Sequence, residues 1–96
     1  MKLTMKFNPG QLVMTRGVCD LMEENLKFAK HVQLSMQRHL TGDWGELCDE
    51  DRVTNEQALQ EGERLFSAYE RDGVPKVWII TEWDRSVTTV LFPDEY

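Results

Sequence analysis

The side chains best suited to chemistry lie in two parts of this 96-residue chain: His39 with Asp43, and Glu82 with Asp84 and Arg85. A carboxylate four residues from a histidine could orient the imidazole as a general base. If Glu82 and Arg85 shared its pocket, such a set could hydrolyse a substrate. The alternative for His39 is a structural one, because a cation is favoured at the C-terminal end of a helix.

Other kinds of catalytic or cofactor site find no support in the sequence. The metal-ligand spacings C-x-x-C, H-x-x-x-H and H-E-x-x-H are absent, and His31 and His39 fall on different faces of a helix. The glycines are scattered, so no phosphate-binding loop is formed, and the G-x-S-x-G motif of serine hydrolases is absent. We therefore predict neither a metal nor a cofactor.

An acidic segment, residues 43–51, is a candidate binding surface. It contains five acidic residues and no basic residue. These carboxylates could dock onto a basic protein surface, or they could complement the positive N-terminal end of the next helix. Trp44, which lies within the segment, either plugs the core or anchors a partner, since tryptophan is a frequent interface hot spot.

The segment Trp83-Asp84-Arg85-Ser86 separates two apolar, β-branched runs. If it is only a turn, Asp84 would accept hydrogen bonds from main-chain N–H groups, and Arg85 would form a surface ion pair of little energetic value. If it is a site, it would extend the contact surface of the acidic segment. A four-residue loop built on a type I turn suits it better than a two-residue loop, because the sequence Asp84-Arg85 lacks glycine and asparagine.

Length and charge limit the classes of protein. The chain is predicted to form one domain, residues 1–96, and its 41% apolar content suffices for one modest core. A net charge of −6 argues against direct binding to nucleic acid or to an anionic membrane, but permits a basic protein partner. No apolar run resembles a signal peptide or approaches the ~20 residues of a bilayer span. With two unpaired thiols, Cys19 and Cys48, these features predict a cytoplasmic protein.

Hydrophobic periodicity predicts a short strand over residues 11–15 and helices over residues 15–25, 26–40 and 49–62. Thr15 is expected to cap the first helix, and Asn25 to end it in the left-handed conformation. The third helix begins at Asp49 or Thr54 and ends at Gly62. The second helix shows one apolar face, formed by Phe28, Val32, Met36 and Leu40.

The C-terminal third is predicted to be a three-stranded antiparallel meander over residues 63–70, 76–83 and 86–92. Two-residue loops at Asp72-Gly73 and Asp84-Arg85 would set its register. The expected core face consists of Phe66, Ala68, Val77, Ile79, Val90 and Phe92. The opposite face has mixed polarity and would hold Ser67, Glu82 and Thr89, so it is either covered or binds something.

Together these elements predict an α+β fold in which helices pack on one face of a small antiparallel sheet. The sheet combines the C-terminal meander with the short N-terminal strand at an edge. Residues 1–10 are expected to be frayed or to lie along an edge, and to end at the turn Asn8-Pro9-Gly10. An exposed edge strand, at 63–70 or 86–92, could pair across a dimer.

Residues 39–96 resemble a family of short bacterial proteins carried on plasmids, integrative elements and prophages. The shared motifs are G-D-W-G (42–45), G-x-R-x-x-S-x-Y (62–69) and W-I-I-T-E-x-D-R-S-x-T-T-x-L-x-P-x-E-Y (78–96), and His39, Asp51 and Asn55 also match. The resemblance implies an accessory gene of a mobile element, but no particular activity. Such genes commonly modulate host defence, plasmid maintenance or transfer.

Three functions remain open at this level. The favoured one is a protein-binding or regulatory factor, an anti-defence role included, with an unidentified protein partner. Its candidate contact residues are His39, Asp43, Trp44, Glu82, Asp84 and Arg85. The alternatives are a small hydrolase with a His/Asp/Glu/Arg pocket, and a structural module in which these side chains hydrogen-bond one another and leave no pocket.

Overall fold

The computed structural model describes residues 4–96 and confirms the predicted α+β class. The elements in chain order are β1 (Gln11–Met14), α1 (Arg16–Glu24), α2 (Leu26–Leu40), α3 (Asp49–Glu61), β2 (Leu65–Arg71), β3 (Val74–Thr81) and β4 (Val87–Leu91), and a 3₁₀ turn follows at Pro93–Glu95. The four strands form one mixed sheet in the order β1-β4-β3-β2. Helices α1 and α2 cover one face of it.

Helix boundaries follow from local capping. Thr15 caps α1, since its hydroxyl accepts a hydrogen bond from the N–H of Val18 at 3.3 Å, as predicted. The prediction for Asn25 was wrong. Asn25 is extended (φ −137°), and its side chain accepts from the N–H of Phe28, so it begins α2 instead of ending α1 in the left-handed conformation. Gly62 ends α3, as predicted, and it adopts the left-handed conformation.

The core lies between α1, α2 and the sheet. Its fully buried members come from α1 and α2 (Val18, Phe28, Val32) and from the strands (Tyr69, Val77, Ile79, Val90). Strand β1 joins the sheet at the edge, parallel to β4, with Met14 opposite Val90. This parallel pairing makes the sheet mixed, whereas a fully antiparallel sheet was expected.

The register of β2 against β3 differs from the prediction by one residue. Arg71 pairs with Val74 around the expected Asp72-Gly73 loop, but Tyr69 pairs with Val77. Two residues of β3, Pro75 and Lys76, therefore lie opposite one residue of β2. Proline has no N–H to donate to a sheet ladder and is tolerated at such bulges. The bulge at Pro75 shifts every pair beyond it.

This shift exchanges the two faces of β2, because side chains alternate along a strand. Leu65, Ser67 and Tyr69 point toward the helices and are fully buried, while Phe66 and Ala68 lie on the open face, where Phe66 is half-buried and Ala68 is buried as predicted. The predicted co-facing of Ser67 with Glu82 and Thr89 was therefore wrong. The other hairpin keeps its predicted register, with Ile79 opposite Val90, and the core positions predicted on β3 and β4 are confirmed.

The N-terminal segment is anchored from Lys6 onward instead of being frayed. The N–H of Lys6 donates to the carbonyl of Leu40 at 2.8 Å, and Phe7 packs beside Trp44. Pro9 is buried. The first three residues of the predicted frayed segment lie outside the described residues.

Candidate functional site

His39 lies at the centre of a buried hydrogen-bond chain. Its Nδ1 atom is 2.5 Å from the hydroxyl of Ser67, and its Nε2 atom is 2.8 Å from the hydroxyl of Thr81. The Thr81 hydroxyl is 2.7 Å from that of Thr88, which donates to the carbonyl oxygen of Pro9 at 2.8 Å. The four linked side chains are all fully buried.

The Pro9 carbonyl fixes the direction of every proton in this chain. A carbonyl oxygen only accepts, so the Thr88 hydroxyl must donate to it and must accept from Thr81. The Thr81 hydroxyl then accepts from Nε2–H of His39. The Nδ1 atom is left to accept the proton of Ser67. The network is fully satisfied only when His39 is neutral and protonated at Nε2.

The serine–histidine pair resembles a nucleophile and its base, but its environment excludes that role. Burial, with a smaller contribution from the charge of Arg85, lowers the pKa of His39 to about 3. A base with so low a pKa is far from the value that suits general base catalysis near neutral pH. Since Ser67 is fully buried, its hydroxyl has no contact with solvent or substrate. This hydrogen-bond network therefore joins α2 to the sheet, and its serine and histidine do not form a catalytic pair.

Asp43 does not orient His39. Its carboxylate accepts two hydrogen bonds from Arg38, at 2.7 and 3.2 Å, and one from the N–H of Gly45 at 3.1 Å. The hydrogen bond from Arg38 is the main cause that lowers the pKa of Asp43. The Arg38 guanidinium also lies over the ring of Tyr69, at 4.9 Å from its centre, and the Tyr69 hydroxyl donates to the Asp43 carbonyl. This set locks the loop after α2 onto the sheet.

Trp44 plugs the core, the first of the two alternatives left open by the sequence. It is buried in a second apolar cluster with Ala58 and Leu65, and its ring contacts Phe7 and His39. Its indole N–H donates to the Glu56 carboxylate at 2.6 Å. Trp44 is therefore not available to anchor a partner.

The loop after α2 and the side chain of Asn55 also close the outer edge of β2. The N–H of Ala68 donates to Trp44, and the carbonyl of Ala68 accepts from the N–H of Glu46 at 2.7 Å. The Asn55 amide pairs with both the N–H and the carbonyl of Phe66. β4, the other strand predicted to form an exposed edge, is internal, between β1 and β3. Neither strand edge that the sequence suggested for a dimer is free.

In the turn between β3 and β4, Asp84 and Arg85 hold the backbone. Asp84 accepts from the N–H and the hydroxyl of Ser86, and these bonds lower the pKa of its carboxyl group. Arg85 adopts φ +60° and donates to the carbonyl oxygens of Glu63, at 2.6 Å, and Ala58, at 3.1 Å. The expected surface ion pair of Arg85 is thus replaced by hydrogen bonds to the end of α3.

Trp83 has no such structural role. Its side chain is 66% exposed at the tip of the turn that Asp84 and Arg85 hold in place. Glu82 beside it is half-buried and lies 3.9 Å from Arg64 across the open face of the sheet. The predicted site residues are therefore scattered: His39 and Trp44 are interior, Asp43 and Arg85 brace loops, and Glu82 lies on the opposite face from His39.

The open face carries an aromatic cleft that the sequence analysis missed. It has a volume of about 300 Å³ and is lined by Arg64, Phe66, Trp78, Ile80 and Tyr96. Trp78 meets the rings of Phe66 and Tyr96 edge to face, and Arg64 donates to the Tyr96 hydroxyl at 2.7 Å. The wrong register of β2 hid this cleft, because it placed Phe66 in the core. The residue in the sequence that could have indicated the register shift is Pro75, because proline within a strand favours a bulge.

Within residues 4–96, no group of three or more His, Cys, Asp and Glu side chains is arranged to hold a metal ion. Over the same residues, no helix is both long and apolar enough to cross a membrane. Comparisons with protein families, with curated proteins and with solved structures gave no match to this chain. The resemblance to a mobile-element family therefore remains a prediction.

Proposed function

We propose that this protein is a small, non-catalytic, protein-binding accessory factor of a bacterial mobile element. Its contact surface is the exposed side of α3 together with Trp83. The observation that carries the proposal is the exposure of Trp83 on a turn whose neighbouring side chains brace the backbone. A large aromatic side chain on a braced turn loses little conformational freedom on binding, which favours its use as an anchor.

The charge of α3 favours a basic partner. The helix contains one basic residue, Arg52, and five exposed acidic residues: Asp49, Glu50, Asp51, Glu56 and Glu61. Arg52 is bound to the carbonyl oxygens of Gly45 and Leu47, so its donors are directed at the loop. The acidic segment and the Trp83 turn meet opposite ends of this helix, which connects them into one negatively charged strip.

An anti-defence role falls within this proposal. A strip of carboxylates can compete with phosphate groups for a basic nucleic-acid groove on a host protein. The net charge of −6 supports such a partner, because like charges would repel a second acidic surface. The hydrolytic alternative has less support, since the proposed base, His39, is enclosed and hydrogen-bonded to the buried hydroxyl groups of Ser67 and Thr81.

The test is a pull-down from nuclease-treated bacterial lysate with tagged wild type, Trp83→Ala and the double variant Glu50→Gln/Glu61→Gln. A partner of the proposed kind is retained by the wild type, lost by Trp83→Ala and weakened by the double variant. Its retention also falls as salt is raised, because exposed charges are screened. Leu26→Ala, which removes an exposed side chain at the start of α2, is the matched control.

Circular dichroism of each variant shows whether the fold is intact. A partner that binds folded Trp83→Ala as well as the wild type would contradict the proposed contact surface. If the retained partner resists 0.5 M salt and binds the double variant Glu50→Gln/Glu61→Gln as well as the wild type, the charge argument fails. Asp84 and Arg85 should not be replaced together with Trp83 in this test. Both side chains hold the turn, so a loss of binding could then result from a disrupted turn.

A second candidate function is small-ligand binding in the open-face cleft. A guanidinium above aromatic walls suits an anion attached to an apolar group, and Arg64 beside Trp78 and Tyr96 has this arrangement. Benzoate is a suitable probe. Binding would change the fluorescence of Trp78 in a Trp83→Phe background, and Arg64→Gln would abolish the change. No change at millimolar concentration would remove this candidate.

A further inference from the structure

The outer edge of β1 is open. The N–H groups of Gln11 and Thr15 point toward β4 and donate to the carbonyl oxygens of Ser86 and Val90, at 3.0 Å each. Because a strand directs alternate residues to its two sides, the N–H and carbonyl groups of Leu12 and Met14 point away from the sheet. In the described part of the chain, no hydrogen bond reaches these four groups.

The other edge of the sheet, which is the outer side of β2, is covered. There the Asn55 side chain and the loop around Gly45 satisfy the main chain of Phe66 and Ala68. Natural proteins protect exposed strand edges because unpaired main-chain groups recruit other strands. β1 carries no charged residue, no proline and no covering loop of the described residues. Its open edge is therefore ready to pair.

A groove adjoins this edge on the helix side of the sheet. It has a volume of about 330 Å³, and its lining includes Leu12, Met14, Met22, Val32 and Met36. Leu12 and Met14 are 52% and 41% exposed at its rim. None of the residues that line the groove is charged.

We propose that a second copy of this chain occupies the edge and the groove, through antiparallel pairing of the two β1 strands about a two-fold axis at Val13. This register sets Leu12 of each copy opposite Met14 of the other. Both residues have outward main-chain groups, so the pairing forms four hydrogen bonds. Paired side chains point to the same face, so Leu12 and Met14 of each copy enter the groove of the other.

The charge distribution favours a dimer joined through the two β1 edges over one in which the acidic surfaces of the two copies meet. Each chain carries a net charge of −6, and the strongly acidic helix α3 packs beside β2, at the far end of the sheet from β1. Two copies can thus approach through the uncharged groove while their acidic helices stay apart. Because each copy contributes one four-residue strand and the adjoining groove, we expect a contact smaller than a standard interface of ~800 Å² per partner and a dissociation constant on the order of 10–100 μM.

The sharpest variant is Leu12→Pro. Proline removes the outward N–H of Leu12 but no hydrogen bond between β1 and β4. Sedimentation velocity from 5 to 500 μM should show a monomer–dimer equilibrium for the wild type and an at least tenfold larger dissociation constant for Leu12→Pro. Leu26→Pro is the matched control, because position 26 is the first residue of α2, where proline is tolerated. The control should dimerise like the wild type.

Cross-linking tests the register independently of how Leu12→Pro folds. In a Cys19→Ser/Cys48→Ser background, Val13→Cys should form a disulfide-linked dimer under mild oxidation, because the two-fold axis brings the two side chains together in a non-hydrogen-bonded pair. Gln11→Cys should cross-link at least tenfold less. A wild type that remains monomeric at 500 μM would overturn the proposal and leave the edge to an extended segment of another protein. A dimer that does not cross-link through Val13→Cys would overturn it equally.

Discussion

The guanidinium of Arg85 donates a hydrogen bond to the carbonyl oxygen of Ala58 and thereby ties the β3–β4 turn to the last turn of α3. This contact shows how one short segment can form a structural turn and still present an exposed side chain, Trp83, which we propose as a binding element. Asp84 and Arg85 hold the backbone, and Trp83, which makes no comparable contact, is exposed. The division of roles among adjacent residues leads to the first prediction.

Arg85→Ala should lower the free energy of unfolding by about 1–3 kcal/mol. The substitution leaves the carbonyl oxygens of Ala58 and Glu63 without their charged donor. Trp83→Ala should change stability by only about 0.5 kcal/mol or less, because the side chain is exposed. Urea denaturation checks both values. If Trp83→Ala proves the more destabilising, the proposed division of roles is wrong.

Stability should fall as the pH drops below about 6.5. The pKa of His39 is about 3 in the folded protein, against 6.5 for the ordinary group. Between these two values the unfolded chain binds a proton that the folded chain does not, so each pH unit lost weakens the fold by up to about 1.4 kcal/mol. Urea midpoints at pH 7, 6, 5 and 4 measure this slope.

His39→Gln should reduce the pH dependence between 6 and 4. Part of the slope should remain, because burial also lowers the pKa of His31. His31→Gln should remove that smaller part, and the double variant should be nearly flat above pH 5. An unchanged slope in the double variant would show that the two buried histidines do not control the acid sensitivity.

Gly45→Ala should destabilise the loop after α2 far more than Gly62→Ala destabilises the end of α3. Both glycines have a left-handed backbone, with φ +76° and +73°. A Cβ atom at Gly45 would lie 2.0 Å from the carbonyl oxygen of Ala68, whereas at Gly62 nothing lies within 4 Å. We expect about 1 kcal/mol for Gly62→Ala and more than twice that for Gly45→Ala. Thermal denaturation of the two variants, compared side by side, tests this difference, and equal losses would contradict it.

Asn55→Ala should open the outer edge of β2. The substitution leaves the N–H and carbonyl groups of Phe66 without their partner, so we expect a loss of about 1–3 kcal/mol and faster hydrogen exchange at Phe66. Gln57→Ala, on the exposed side of the same helix, is the control. Exchange at Phe66 that matches the control would show that the edge is protected by something other than the amide of Asn55.

The sequence by itself determined the class and order of the elements. Periodic apolar residues located the helices, and Thr15 and Gly62 marked two of their ends. The pairing of Ile79 with Val90 followed from the alternation of the two last strands. These features depend on neighbours close in the chain, and local patterns record such neighbours well.

Only the tertiary structure decided the register of β2 and the environment of the polar residues. One bulge at Pro75 reverses which side of a strand faces the core, and no local pattern reports a register shift directly. His39 is hydrogen-bonded to Ser67 and Thr81, and Thr81 links it through Thr88 to the Pro9 carbonyl, a contact between residues 79 apart in the chain. Whether such a histidine is a catalytic base or a buried link depends on burial and on its partners. Both are properties of the packed fold, since the same residue spacing is compatible with either.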